Sequence, residues 1–408
     1  MEIQESRNKL NLVFDDWDQD VPKPNGSKIF PECSLSRADF ISDTYDISVE
    51  YFKPEDVFRN DKTKFFYLVE HLSCSLNCLL MDKKVITEKI VDMVKKNDNL
   101  NLLFISSHES YQNKDFLYLK KFIRDNNIPD EKIYIINNNA LNQIQIEKKN
   151  LKINYLSTMH VPMWYSTSVR NLETNFIKNK EGKFFICLNN MRKIHRHLLL
   201  SFLKKYDLIK NVNWSFGDDE DEYNKFAQFE DIKRFLDDET TLLLKEEIEY
   251  FYSIKEKKPD FEGIRDVPLY VHMPEIKKDQ ENSYINIVSE SNFFEEDLIH
   301  ISEKSMKPFL YYQIPLFCAS YLHVDVLRKK YGFDMFDDIV NHDYDYEKDN
   351  IKRMKKIIEQ IIELNNKKDE IIKIYPSLKE RMENNKIKLL EISNMKDDSL
   401  FYKKITNG

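Results

Sequence analysis

Only six of the 408 residues are glycine, at positions 26, 182, 217, 263, 332 and 408. No two stand close enough to build a G-x-G-x-x-G turn or a G-x-x-x-x-G-K-[ST] loop. Phosphate loops of those kinds need glycine where the backbone touches the ligand. Glycine-fingerprint dehydrogenases, P-loop NTPases and protein kinases are thereby excluded.

The length favours two domains. With 41% apolar residues, 27 Phe and 22 Tyr, the chain has enough to bury a core. The net charge of −8 argues against a surface that grips nucleic acid everywhere and leaves room for a basic cleft on an acidic body. Five cysteines, at 33, 74, 78, 187 and 318, show no paired C-x-x-C spacing, so neither a disulfide framework nor a zinc ribbon is expected. Cys74 and Cys78 read as small buried residues of one helix face. The start, MEIQESRNKL, lacks the basic-then-apolar pattern of a signal peptide. The apolar run 309–324 is broken by Gln313, Pro315, Ser320 and His323 and is too short to span a bilayer. A soluble, cytoplasmic protein is expected, in a host cytoplasm if it is viral.

Short β-like runs alternate with Lys-rich helical segments. Strands are expected at 11–14, 64–71, 100–107 and 153–159, a turn and strand at 128–139, and helices at 85–97 and 114–127. Ile86, Ile90, Val91 and Val94 share one face of the first helix. Such a rhythm predicts a parallel sheet wrapped by helices. The polar stretch 165–183, with Gly182, reads as a linker. The rhythm then restarts, with strands at 184–189, 211–217, 267–272, 283–291 and 314–320 and a helix over 195–209. An acidic, helical insertion is expected from 218 to about 260. From Lys348 onward Ile351, Met354, Ile358, Ile361 and Ile362 lie on one face of what reads as a single helix. No solenoid repeat is present. The expected domains are 1–178, 179–347 and a helical segment 348–408.

Two islands carry chemistry. In 184–200 a strand runs into a helix whose first turn holds Arg192, Lys193, His195 and Arg196. Open α/β sheets bind ligands beyond the carboxyl ends of their strands. Cations at a helix N-terminus oppose its dipole, a cost that an anionic ligand would offset. A solvated basic helix start is the plain alternative. In 283–320 a strand ends at Glu290, and Ser302-Glu303-Lys304 opens a helix that contains Lys307-Pro308. Ser302 is a candidate N-cap. A carboxylate such as Glu303 can accept both hydroxyls of a ribose, and an ammonium such as Lys304 can neutralise a phosphate.

Taken together and in order, the islands resemble a group of glycosyltransferase-like proteins of phages, large viruses and some bacteria. The shared pieces are Phe185 to Asn189, then Arg192, His195 and Arg196, then Trp214-Ser215-Phe216. Later come Ser302-Glu303-Lys304, Lys307-Pro308 and the segment from Gly332 to Asp337. The late element is also similar to the donor-binding signature of α-1,3-fucosyltransferases. Both resemblances imply a GT-B fold: two Rossmann-like domains facing a cleft, the acceptor on the N-terminal one and a nucleotide-sugar (UDP- or GDP-linked) on the C-terminal one. They imply Glu303 on the ribose, Lys304 on a phosphate and Glu290 near the donor sugar. Asn189 and His195 would lie in the donor site, and Arg192 or Arg196 would complete a pyrophosphate clamp. Where relatives carry a small-residue turn, this chain has Tyr311-Tyr312-Gln313-Ile314-Pro315, which is expected to narrow the donor pocket or alter its preference.

Glycosyl transfer must stabilise a leaving nucleoside diphosphate, and cations with helix N-termini can do so without an obligatory metal. The acidic runs 16–18, 218–221 and 343–345 read as solvated turns. A base for an inverting reaction would come from Asp15, Asp16, His71, His108 or Glu109, at or near strand ends. Histidines 160, 272, 300, 323 and 342 read as structural. The expected activity is transfer of a sugar from a nucleotide-sugar to a glycan or, as in a phage enzyme, to a modified cytosine in DNA, with base flipping. The Lys-rich helices 120–124 and 352–356 would then supply phosphate contacts. The alternative is a non-catalytic GT-B-shaped binding or scaffold protein.

Overall fold

The computed structural model describes residues 9–13, 48–52, 57, 63–70, 86–106, 113–137, 150–157, 165–166, 169–178, 182–189, 192–216, 232–254, 274–295 and 298–392. They fall into two compact units, one within Met1–Val161 and one within Pro162–Ile392. Each is built on a wholly parallel sheet, so the class is α/β with two Rossmann-like units in sequence.

The first unit holds β1 (Lys9–Val13), β2 (Ser48–Phe52), β3 (Phe65–Glu70), α1 (Glu88–Lys96), β4 (Leu100–Ser106), α2 (Asn113–Asn126), β5 (Ile133–Asn137) and β6 (Asn154–Ser157). The strand order is β2-β1-β3-β4-β5-β6. All five residues of β5 are buried, as a strand covered on both faces requires. α1 is fixed at both ends. Thr87 caps its start by accepting from the Ile90 N–H at 3.3 Å. At its far end the buried Lys132 ammonium donates to the Val94 and Asn97 carbonyls. Its Ile90, Val91, Met93 and Val94 face the core together with Phe65, Tyr67, Leu102 and Ile135.

The second unit holds β7 (Phe185–Cys187), α3 (Ile194–Lys205), β8 (Val212–Trp214), α4 (Asp238–Ser253), α5 (Pro274–Asn282), β9 (Ile285–Ser289), α6 (Glu303–Leu310), β10 (Ile314–Cys318) and α7 (His323–Lys329). α8 (Asn350–Asn366), α9 (Lys368–Ile374) and α10 (Lys379–Glu391) complete it. Its strand order is β10-β9-β7-β8. The chain leaves β7 toward β8 in one direction, and later moves from β9 to β10 in the other. Right-handed crossovers therefore put α3 and α6 on opposite faces of the sheet. The point of reversal lies between β7 and β9, beside Asn189 to Arg196 and Glu290 to Lys304.

Three sequence expectations change. The single helix after Lys348 is three helices, parted at Lys367 and by a 3-10 turn at Tyr375–Leu378 that contains Pro376. The bulky turn Tyr311–Gln313 precedes β10, whereas Glu290 and Glu303 stand beyond the other end of the sheet, so it does not border that end. It packs instead beneath the strands, where Gln313 bonds Asn286 Nδ2 and the Gln280 carbonyl. In the run 343–345 Asp343 is exposed, but Asp345 is buried and caps α7 by accepting from Val324 N (3.0 Å) and Asp325 N (2.9 Å). Burial pushes its carboxyl up to about 6. The runs 16–18 and 218–221, the strand expected at 267–272, and Cys33, Cys74, Cys78, His160 and His272 lie outside the described residues.

Candidate functional site

β7 carries Ile186 and Cys187 into the core and delivers Asn189 at its carboxyl end. The Trp214-Ser215-Phe216 stretch finds its purpose here. Ser215 Oγ accepts from Asn189 N at 2.9 Å and donates to Asn189 O at 3.3 Å, and the Phe216 ring lies 4.7 Å beneath the Arg192 guanidinium. Arg192 also donates to the Ile254 carbonyl. Asn189 Nδ2 donates to Cys187 Sγ at 3.4 Å, and its buried Oδ1 accepts no hydrogen bond.

The basic cluster of α3 turns largely inward. His195 Nε2 donates to the Glu290 carbonyl at 2.9 Å, and its ring stacks on Phe293 at 5.7 Å. Burial, with Arg196 and Lys193 adding to it, holds this imidazole well below its usual range and neutral. Arg196, 2% exposed, donates to the Ser289 and Glu290 carbonyls at 3.3 and 3.2 Å. Lys193 reaches across to the Ser291 carbonyl at 2.8 Å. The cluster thus clips the end of β9 to the start of α3.

Glu290 is wholly buried. One carboxylate oxygen accepts from Ser291 N (2.9 Å) and Ser302 Oγ (2.7 Å), the other from Ser302 N (3.2 Å) and Ser305 Oγ. Burial opposes the charge, but His323, Lys304, His300 and the Ser305 hydrogen bond together outweigh it, and the carboxyl stays below the usual range. Because Ser305 Oγ donates to Glu290, it accepts from His323 Nε2 at 2.8 Å. His323 is therefore the Nε2–H tautomer, its own value pushed down to about 4 by burial.

Ser302 caps α6, accepting from Lys304 N at 3.2 Å. The next two residues are the outward-facing ones. Glu303 and Lys304 are 24% and 26% exposed and paired at 2.8 Å. Glu303 is held at about 2: burial works against its charge, and Lys304 and Lys307 more than offset this. Lys307 stands one turn on, lowered by burial against the pull of Glu303. His300, buried beside them, is lowered by that burial, with Glu290 and Glu303 opposing and Lys304 and Lys193 adding to it. A carboxylate flanked by ammoniums at a helix start, on the reversal point of a parallel sheet, is an arrangement suited to a polyhydroxylated anion.

The structure thus gathers Asn189, Arg192, His195, Arg196, Glu290, Ser302, Glu303, Lys304 and Lys307 around one pair of strand ends. Asp16, His108 and Glu109, with Asp15 and His71, lie outside the described residues. Sequence reasoning read His323 as structural, and it missed Ser305 and above all Arg353, buried on α8. Arg353 donates to the carbonyls of Phe293, Ala319, Glu347 and Lys348 and to Asn350 Oδ1. Its one sequence signal is an arginine set beside Met354 on an apolar stripe. The Lys-rich helices differ from each other: Lys120, Lys121 and Arg124 are exposed, whereas 352–356 contains this buried arginine.

Among the described residues no group of three or more His, Cys, Asp or Glu is placed to hold a metal, and no helix is long and apolar enough to cross a membrane. No protein family matches the sequence, and no curated protein does. Among solved structures the chain is similar to a T4 phage BGT mutant in complex with UDP-glucose, at 11% identity and a TM-score of 0.37, over 98% of this chain and 100% of that one.

Proposed function

We propose that the chain is a glycosyltransferase that takes its sugar from a nucleotide-sugar bound at the carboxyl end of the second sheet. The observation that carries this reading is the Glu303–Lys304 pair, partly exposed at the capped start of α6 and next to the strand reversal. Glu303, ionised through the whole physiological range, would accept two vicinal ribose hydroxyls. Lys304 and Lys307 would meet the diphosphate, which becomes more negative as the glycosidic bond breaks. The unpartnered Asn189 Oδ1 offers one acceptor to the same ligand. Glu290, His195, Arg192 and Arg196 act as positioning residues, holding the strand end, the aromatic loop and the helix starts in register. The base of an inverting reaction would come from Asp16, His108 or Glu109, and the acceptor would be a glycan or a modified base in DNA.

Thermal unfolding against a panel of nucleoside diphosphates and nucleotide-sugars tests this. A ligand at about a hundred times its Kd should stabilise by about 2.7 kcal/mol. One nucleoside should shift the wild type, and Lys304→Ala and Glu303→Gln should lose the shift while melting as cooperatively as before. A panel with no shift at all, or a shift untouched by both variants, would reject the site.

A further inference from the structure

A hollow lies along β8, the edge strand of the second described sheet, and takes in Lys183 before β7 and Ile209 and Lys210 before β8. Neither Glu290 nor Glu303 lines it. Its volume is about 360 Å³, within the range of small-ligand sites. Trp214, Tyr250 and Phe251 form its aromatic side, and Lys183, Lys204 and Lys210 its charged side. The rings are braced edge to face, Trp214 on Phe251 at 5.5 Å and Tyr250 on Phe251 at 5.2 Å. Tyr250 is 43% exposed.

The charges are arranged with the rings rather than scattered. The Lys204 ammonium stands 4.4 Å from the Tyr250 centroid. Lys183 donates to the Lys210 carbonyl, which draws two lysines of distant sequence to one rim. Lys210 pairs with Asp207, but both side chains are well over half exposed, so the pair is screened by solvent and open to exchange. Stacking faces beside ammoniums are what a base joined to phosphate requires, and every base offers such a face. An acidic peptide would leave the rings unused.

We propose that this hollow binds one nucleotide of a single-stranded nucleic acid, the base stacked against Tyr250 and Trp214 and the flanking phosphates met by Lys183, Lys204 and Lys210. The site is separate from the nucleotide-sugar site and stands or falls without it.

The test is fluorescence anisotropy of a labelled ten-nucleotide oligothymidylate with the full chain. Binding should weaken about tenfold between about 50 and about 200 mM salt, as two to three phosphate contacts dictate. The double variant Lys183→Glu, Lys204→Glu should weaken it tenfold or more. Tyr250→Ala, or Tyr250→Leu if the alanine variant melts early, should weaken it about fivefold or more, the lower end of base stacking. Lys304→Ala should bind the oligonucleotide like the wild type even if it has lost nucleotide-sugars. The proposal is overturned if the wild type does not bind at low salt, or if the folded variants bind as well as it does. It is also overturned if a duplex or a sulfated oligosaccharide binds as tightly as the oligonucleotide and is indifferent to Tyr250, since that would mean a general anion surface.

Discussion

Glu290 stands where the ninth strand ends, and four donors converge on its two carboxylate oxygens. Glu290→Gln would turn an amide N–H₂ toward two of those donors and leave them unsatisfied. The expected cost is about 1–3 kcal/mol in urea unfolding, and a change below half of that would show that the network is looser than its distances. His197 presents the opposite case. It is wholly buried among Phe216, Phe251 and Tyr252, and neither ring nitrogen has a hydrogen bond. Burial, then Arg192, pushes its value down to about 3. The unfolded chain takes up this proton near 6.5 and the folded chain only near 3, so stability is lost as pH falls through that window. His197→Phe should raise the urea midpoint at pH 5 and flatten its decline below neutrality. An unchanged pH slope would mean that the imidazole titrates freely. Asp345 works against this trend, because its raised value favours the folded state as pH falls from about 6 toward 3.8.

At the scale of elements, the approach to β7 is set by Gly182. A Cβ there would lie 2.3 Å from the Asn282 carbonyl oxygen and 2.8 Å from its Cβ, so the backbone itself would have to move. Gly182→Ala should destabilise by about 1–3 kcal/mol. Gly332 has φ +71°, and a Cβ there would meet only the Lys388 ammonium at 4.0 Å, so its alanine variant should lose about 1 kcal/mol of stability to conformational strain alone. Calorimetry of the two variants separates clash from strain, and equal losses would contradict the assignment. Gly182 illustrates how far the sequence could be read. As a glycine in a polar stretch it signalled a linker, yet its reason is contact with α5, which no local pattern records. Strands with mostly apolar runs, such as β4, β5, β9 and β10, were legible because burial on both faces keeps charged residues out of them and leaves only a few polar ones, such as Asn101 and Asn286. β2, SVEYF, was not, since alternation over five residues beside charged neighbours looks like loop. Ser302 was legible as a cap because capping is local chemistry. The inward turn of Arg192, His195 and Arg196 was not, because their partners are carbonyls distant in sequence, at the end of α4 and the end of β9, and carbonyls have no sequence signature.

For the whole molecule, two units on separate parallel sheets imply that a ligand's effect can be assigned to one of them. Hydrogen exchange with the stabilising nucleotide should slow the amides of Ser291, Ser302, Lys304 and Ser305. Those of β4 and β5 should change far less, because they belong to the other unit. Protection confined to the first unit would move the donor site there. The long-range fastening of the second unit has a further meaning. Arg353 joins the loop at Phe293, the end of β10 at Ala319 and the chain at Glu347 through one guanidinium, while Cys187 and Cys318 stay unpaired. A brace made of backbone carbonyls and a group that never loses its proton is blind to reductant and to ordinary changes of pH. The loop carrying the candidate site is thereby tied down by a fastener that needs no oxidising compartment to form.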